Sequence, residues 1–409
     1  VQQERRALAR GLVFVGVGTL LGNGAAYLLS MVAARVLSIE DFGAFGALLG
    51  LLVILSTLAI STQALTARRV SVAGADRPQA EGDAIRLSVY IGIVIIMLGV
   101  IAAWPVSAIF QIPAAAVALG ISSLAFVVFG SAAMGIAQGR EAHGRLAAGF
   151  MANGIGRAVG GIVGVVLLGS ITGAAIGILI GCIVGAVAAY LLICPGTWKG
   201  QLTRGGAIEF LHVLHALMVL FTLTNVDVLL ARFFLPELQS GEYAVGVLLA
   251  KISFFLPNAI IIVLFPKMAA GDSRRAVYIA SGLTAVLGLT VTVFSFGFGD
   301  FVIRVLGGPE YVDLLGSRAW LFALEGSAFA LVQVLLYARL AAQDKRAVLT
   351  VWVGLVILVL TVVLWRNNSV EEIVTTVVFV SLGLVVVGLF MDRRNNTPIR
   401  PVVPIEAAE

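Results

Sequence analysis

Four charges embedded in apolar sequence are the residues of this chain best placed to do chemistry: Arg157, Asp227, Lys251 and Glu325. Placing one such charge at the centre of a bilayer costs roughly 2.5–3.5 kcal/mol, so it marks a cavity, a partner or a proton path. Arg157 stands twelve residues beyond Arg145, about 18 Å along a helix. A cation at that depth suits an anionic ligand in a water-filled cavity; bonding to helix-end carbonyls is the plainer alternative. Asp227, Lys251 and Glu325 lie about 10–14 Å from one end of their apolar segments. Asp227 and Lys251 either neutralise each other or divide the work. In the second case Lys251 holds an anionic head group, and Asp227 or Glu325 takes up an ion that drives movement. The amides Asn23, Gln63, Asn225 and Gln333 add polar atoms within apolar segments, where amides often bond a neighbouring helix.

Other constellations carry less. There is no Walker-type phosphate loop and no Cys/His set with metal-ligand spacing, so neither a cofactor nor a metal is expected. His212 and His215, three apart and near Glu209, form either a proton site or a hydrogen-bonded trio near an interface. Cys182 and Cys194 are separated by about 18 Å of helix, too far for an intramolecular bridge. Glu40-Asp41 and Glu371-Glu372 could imitate a catalytic carboxylate pair, but adjacent acids at helix starts read as solvated caps.

The elements that must position these residues are set by composition. Charged residues make up 12% of the 409 and hydrophobic ones 60%, with a mean hydropathy of +1.06. That is about half the charge of a soluble domain, which excludes a water-soluble fold. The apolar blocks, each of about 20 residues or more, predict an all-α polytopic membrane protein with about twelve transmembrane helices. They run over 11–37, 42–67, 84–110, 114–139, 145–170, 173–194, 207–235, 242–268, 276–305, 318–342, 347–364 and 371–391. The first is too long for a cleaved signal peptide and reads as a membrane helix.

With the N-terminus cytoplasmic, 20 of the 27 basic residues fall on the cytoplasmic side and five on the other, with Arg157 and Lys251 inside spans. That asymmetry predicts both termini cytoplasmic and makes the net charge of +5 a matter of topology, not of nucleic-acid binding. Residues 195–206, with Pro195-Gly196 and Gly205-Gly206, read as a cytoplasmic linker between two six-helix bundles, 1–194 and 207–391. Residues 392–409 form a cytoplasmic tail. A faint repeat supports the division: Ala34-Arg35 and Ala231-Arg232 are offset by 197, Gly43-Ala44 and Gly241-Glu242 by 198, and Arg69 and Lys267 again by 198. Gly149, Asn153, Gly156, Arg157, Gly160 and Gly164 share a helical face that allows close packing. Pro257 predicts a kink in the eighth span.

The run Ala34-Arg35-Val36-Leu37-Ser38-Ile39-Glu40-Asp41-Phe42-Gly43-Ala44-Phe45 resembles the first helix–loop–helix of polysaccharide exporters of the O-antigen flippase type. These belong to the multidrug/oligosaccharidyl-lipid/polysaccharide (MOP) superfamily. Val305-Leu306-Gly307-Gly308-Pro309-Glu310-Tyr311, continuing through Leu321 and Ala323 to Ala341, is similar to the family's region between spans nine and ten. The resemblance implies paired six-helix bundles around a cationic cavity in the bacterial cytoplasmic membrane. It also implies alternating-access transport of a polyprenyl-diphosphate-linked oligosaccharide for cell-surface polysaccharide biosynthesis. Partners would then be that glycan, membrane lipids and other polysaccharide-assembly proteins, with no nucleic acid. Arg157 and Lys251 become the leading substrate-binding candidates, one from each half, with Arg35 and Asn23 beside them; Arg35 and Arg232 also match the family's helix-end arginine, which gives them a structural alternative. Asp227 and Glu325 are the ion-coupling candidates. The murein-precursor branch carries an arginine–aspartate pair where this chain has Leu28-Leu29, which argues against a lipid II substrate.

Other function classes make different demands. A cation-coupled multidrug exporter of the same superfamily needs acids facing its cavity in place of bases. A major-facilitator transporter needs an Asp-Arg-x-Gly-Arg-Arg-like loop, absent around Arg68, Arg69 and Arg77. A membrane-embedded glycan-assembly enzyme usually carries a sizeable external loop, which this chain lacks; a scaffold role needs no signature at all.

Overall fold

The computed structural model describes residues 24–197, 206–257, 273–341 and 345–394, with Gly16, Gly18, Leu21 and Gly22 before them. Every regular element among these residues is helical. Among the described residues nine helices are long and apolar enough to cross a membrane, and a pair bent by 43° between Leu217–Leu223 and Val226–Phe234 makes a tenth if it counts as one span. Helices α1 (Gly24–Val36) and α10 (Glu237–Phe255) occupy the first and eighth expected spans and are described in part. The polytopic helical architecture of about twelve spans read from the apolar blocks is therefore the architecture of the molecule.

The chain forms two compact units, Val1–Phe221 and Thr222–Glu409. In the first, α2 (Ile39–Leu55) and α3 (Thr57–Val72) make one span, followed by α4 (Arg77–Phe110), α5 (Ala114–Gly139), α6 (His143–Leu168) and α7 (Ile171–Ile193). α5 is the hub, packed against α3, α4 and α7, and most of its length is buried. α4 instead turns Ile93, Met97, Ile101 and Trp104 outward, an apolar face suited to lipid.

Local chemistry sets the boundaries. Ser38 caps α2 by accepting the Asp41 amide at 3.1 Å, and Glu40 and Asp41 complement the positive end of the helix. Gly169 ends α6 at φ +55°, a conformation favouring glycine, and Ser170 opens α7 by accepting the Gly173 amide. The α6–α7 pair packs backbone on backbone: a Cβ at Gly156 would lie 2.7 Å from the Gly181 carbonyl oxygen, and Gly160 meets Gly177 closer still. Gly156, Gly160 and Gly164 thus form one close-packed stripe, whereas Gly149 faces Met134 and Ile193.

The second unit contains α9 (Val226–Phe234), α10, α11 (Ser273–Gly297), α12 (Gly299–Leu306), α13 (Val312–Leu315), α14 (Ala319–Ala341), α15 (Lys345–Leu364) and α16 (Val370–Arg394). α8 (Gly206–Leu223) precedes it and straddles the division. α14 is the buried centre, packed against α10, α11 and α16.

Three spans depart from the uniform blocks of the sequence reading. The seventh breaks at Thr224-Asn225, where Asn225 leaves helical geometry and donates to the Thr224 hydroxyl. The ninth breaks at Phe298, between two glycines, leaving α12 separate. In the eighth span α10 ends at Phe255, two residues before Pro257, as expected where proline removes the continuing donor and crowds the preceding turn.

Candidate functional site

The first unit holds a crevice of about 720 Å³ between the start of the chain, α3, α5 and α6. Phe150, Asn153, Gly154 and Arg157 follow at three- and four-residue steps on α6 and form one wall. Arg157 is half-buried and Asn153 nine-tenths buried. Ser131 of α5 and Gln63 of α3 complete the polar lining, with Ser56 at the break between α2 and α3. That break has a local cause. The Ser56 hydroxyl donates to the Val53 carbonyl at 2.6 Å and the Thr57 hydroxyl to Ile54 at 2.7 Å, a backbone competition that bends helices. Gln63 is held by a 2.9 Å donation from its Nε2 to Gln138 Oε1. One permanent cation among neutral donors, set against Phe150 and Met134, can grip an anionic head group bearing hydroxyls.

The second unit assembles its charges differently. The bend between α8 and α9 puts Asp227 in the first turn of α9, fully buried. Its Oδ2 accepts from the Tyr243 hydroxyl at 3.1 Å, and the Val228 amide also donates to its carboxyl. The Glu325 carboxyl of α14 lies against that of Asp227, and Lys251 of α10 acts electrostatically on both. The Tyr243 ring stands edge-on to Phe322, centroids 5.1 Å apart, which fixes its hydroxyl toward the acids. Two buried carboxyls, a phenol and an ammonium make a site able to hold a proton or a small cation.

The structure therefore brings Asp227, Lys251 and Glu325 together and gives Arg157 a polar crevice. Lys251, read as a partner of Arg157 toward substrate, lies within electrostatic reach of the two carboxyls of its own unit. Arg35 is exposed and donates to the Met31 carbonyl at 2.7 Å, closing the end of α1. Arg232 is buried and pairs with Glu237 at 3.6 Å. Asn23 and the side chains of Glu209 and His212 lie outside the described residues. Gln333 donates weakly to the Tyr337 hydroxyl at 3.5 Å.

Two clusters escaped the sequence reading. Arg140, at the end of α5, grips Glu81 of α4 through two nitrogens, its Nε at 2.6 Å, and donates to the Ile193 carbonyl at 3.0 Å. Glu81 in turn holds the guanidinium above its ordinary pKa. Arg318 bridges Glu242 at 3.1 Å and Glu371 at 2.7 Å. Glu372 accepts from the Asn368 amide, and its own amide donates to Ser369. Glu371 and Glu372 are thus engaged in a bridge and a cap rather than presented as a pair. Only the opposite charges of these residues were visible in sequence, with nothing in their spacing to join them.

No curated protein sequence matches the chain. Solved structures do resemble it in fold. An inward-facing multidrug resistance MATE family transporter of the MOP superfamily gives a TM-score of 0.70 at 13% identity, over 90% of this chain and 93% of that one. The outward-facing conformation of such a transporter gives 0.62 at 14%, over 94% and 95%. A MOP superfamily transporter from Pyrococcus furiosus, described as having a binding pocket of reversed polarity, gives 0.59 at 14%, again over 94% and 95%. The fold is that of MOP superfamily transporters. In sequence, a family model described as polysaccharide biosynthesis protein matches residues 8–271. With most of its length matched, the chain belongs to that family, the polysaccharide exporters of the MOP superfamily.

Proposed function

We propose that the protein moves a polyprenyl-diphosphate-linked oligosaccharide across the bacterial cytoplasmic membrane by alternating access, as a flippase and not an enzyme. The single observation that carries this reading is the crevice of the first unit. Its charged group is a cation, Arg157, and its other polar groups are neutral, which matches a diphosphate followed by sugar hydroxyls. A guanidinium binds phosphate oxygens through paired donors and keeps its charge at any physiological pH. The glycan's hydroxyls find Asn153, Gln63 and Ser131, and the polyprenyl tail stays in the bilayer. With the basic loops cytoplasmic, substrate enters from the inner leaflet.

The buried acids of the second unit supply the driving step. Asp227 and Glu325 take up a proton or sodium ion, and Lys251 tunes their charge. The same acids favour a second reading, cation-coupled multidrug export; two of the structural relatives are named as multidrug resistance transporters. The two readings separate in cells lacking the protein. The flippase reading expects a lipid-linked glycan to build up on the cytoplasmic leaflet with loss of a surface polymer. Unchanged lipid-linked sugars with new drug sensitivity would move the assignment to export.

A further inference from the structure

A second crevice lies wholly in the second unit, with none of Asp227, Lys251 and Glu325 in its lining. It is a narrow slot of about 350 Å³ between the end of α14, the start of α15 and the end of α16. Its walls are apolar, built from Val332, Leu336, Val351 and Leu384, with Gly388 lining one side, where a Cβ would meet Leu335 at 3.0 Å. At its polar end stand Arg339, in the last turn of α14 and 8% exposed, and Thr350. The Thr350 hydroxyl donates to the Met391 sulfur at 3.7 Å, a weak acceptor that a phosphate oxygen readily outcompetes.

The charge around this end is one-sided. Arg339, Lys345, Arg346, Arg393 and Arg394 occur where these three helices begin or end, against Asp344 and Asp392. A guanidinium has five donors in a planar fork, so it can hold a phosphate while keeping a contact within the protein. An apolar slot ending in a guanidinium and a hydroxyl, at the edge of the hydrocarbon layer, fits one abundant ligand. That ligand pairs a hydrocarbon chain with a phosphodiester, and basic pockets between membrane helices recognise it when its head group is anionic.

We propose that this crevice binds an anionic phospholipid of the leaflet into which these basic helix ends project. Arg339 and Thr350 hold the phosphate, and the acyl chain lies in the slot. The site is independent of the transport reading, because it concerns a resident lipid and not the cargo.

The test uses the full-length purified protein and native mass spectrometry, titrating phosphatidylglycerol, phosphatidylcholine and soluble glycerol phosphate. One phosphatidylglycerol should be retained about tenfold more tightly than phosphatidylcholine, as expected for a charge-assisted contact, and glycerol phosphate should not displace it. Arg339→Gln and Gly388→Leu, the second filling the slot, should each abolish the preference. Thr350→Val, a mild change that keeps the fold if the others do not, should weaken it about threefold. The proposal is overturned if Arg339→Gln or Thr350→Val keeps full preference. Displacement by glycerol phosphate would also overturn it, by showing a site for free phosphate.

Discussion

The Glu81–Arg140 contact predicts an asymmetry large enough to measure. The Glu81 side chain is 5% exposed and that of Arg140 28% exposed. Arg140→Gln therefore strands a buried carboxylate, and breaking such a pair from that side typically costs about 3–5 kcal/mol. Glu81→Gln leaves a guanidinium that reaches water and keeps its bond to the Ile193 carbonyl, so the loss should be nearer 1–2 kcal/mol, on the order of one charge-assisted hydrogen bond. Cys194 reports the difference, being buried beside the pair. In a Cys182→Ala background its reaction with a maleimide follows local opening. Arg140→Gln should speed labelling roughly 150–4,000-fold and Glu81→Gln roughly 5–30-fold. Arg140 itself favours the thiolate, so its removal slows the chemistry slightly and the acceleration is a lower bound. Equal rates in the two variants, or a faster Glu81→Gln, would refute the reasoning from burial.

Further outcomes follow from the same structure. Burial pushes the Cys194 thiol up to about 11, with Arg140 pulling it down and Glu81 raising it. A raised thiol pKa contributes stability that is complete below the unfolded value near 8.5 and lost as pH rises through about 11. Cys194→Ser should remove part of the alkaline loss of thermal stability between those limits; an identical pH profile would contradict this. Gly160→Leu drives a side chain into the α7 backbone and should reduce folded yield severely in size-exclusion profiles, whereas Gly282→Leu, facing open space, should be tolerated. Asp227→Asn and Glu325→Gln should each abolish ion-gradient dependence in reconstituted vesicles while leaving Arg157-dependent substrate binding within about threefold. Loss of binding in both would argue against separate roles.

The span architecture was legible because hydrocarbon thickness and backbone satisfaction leave a polytopic chain few alternatives. Arg157, Asp227, Lys251 and Glu325 were legible too, since charges stand out in apolar blocks. Their partners were not. Tyr243 reads as an ordinary aromatic, and only the bend at Asn225 and the packing against Phe322 aim it at Asp227. Gln63 and Ser131 join Arg157 through the tertiary arrangement of α3, α5 and α6, with no fixed spacing to reveal it. The break at Ser56 depends on hydroxyls competing for backbone carbonyls, and that at Phe298 falls between Gly297 and Gly299; both lie within apolar segments, so hydropathy passes over them.

The central claim is that Arg157 carries a diphosphate-linked lipid across the bilayer. It is tested most directly in proteoliposomes loaded with a fluorescent polyprenyl-diphosphate sugar, by following its accessibility to a membrane-impermeant quencher. The wild-type protein should equilibrate the lipid between leaflets. Arg157→Ala, folded and inserted to the same extent, should fall to the rate of empty vesicles, and Arg157→Lys should recover part of the activity. Wild-type rates in Arg157→Ala would contradict the account.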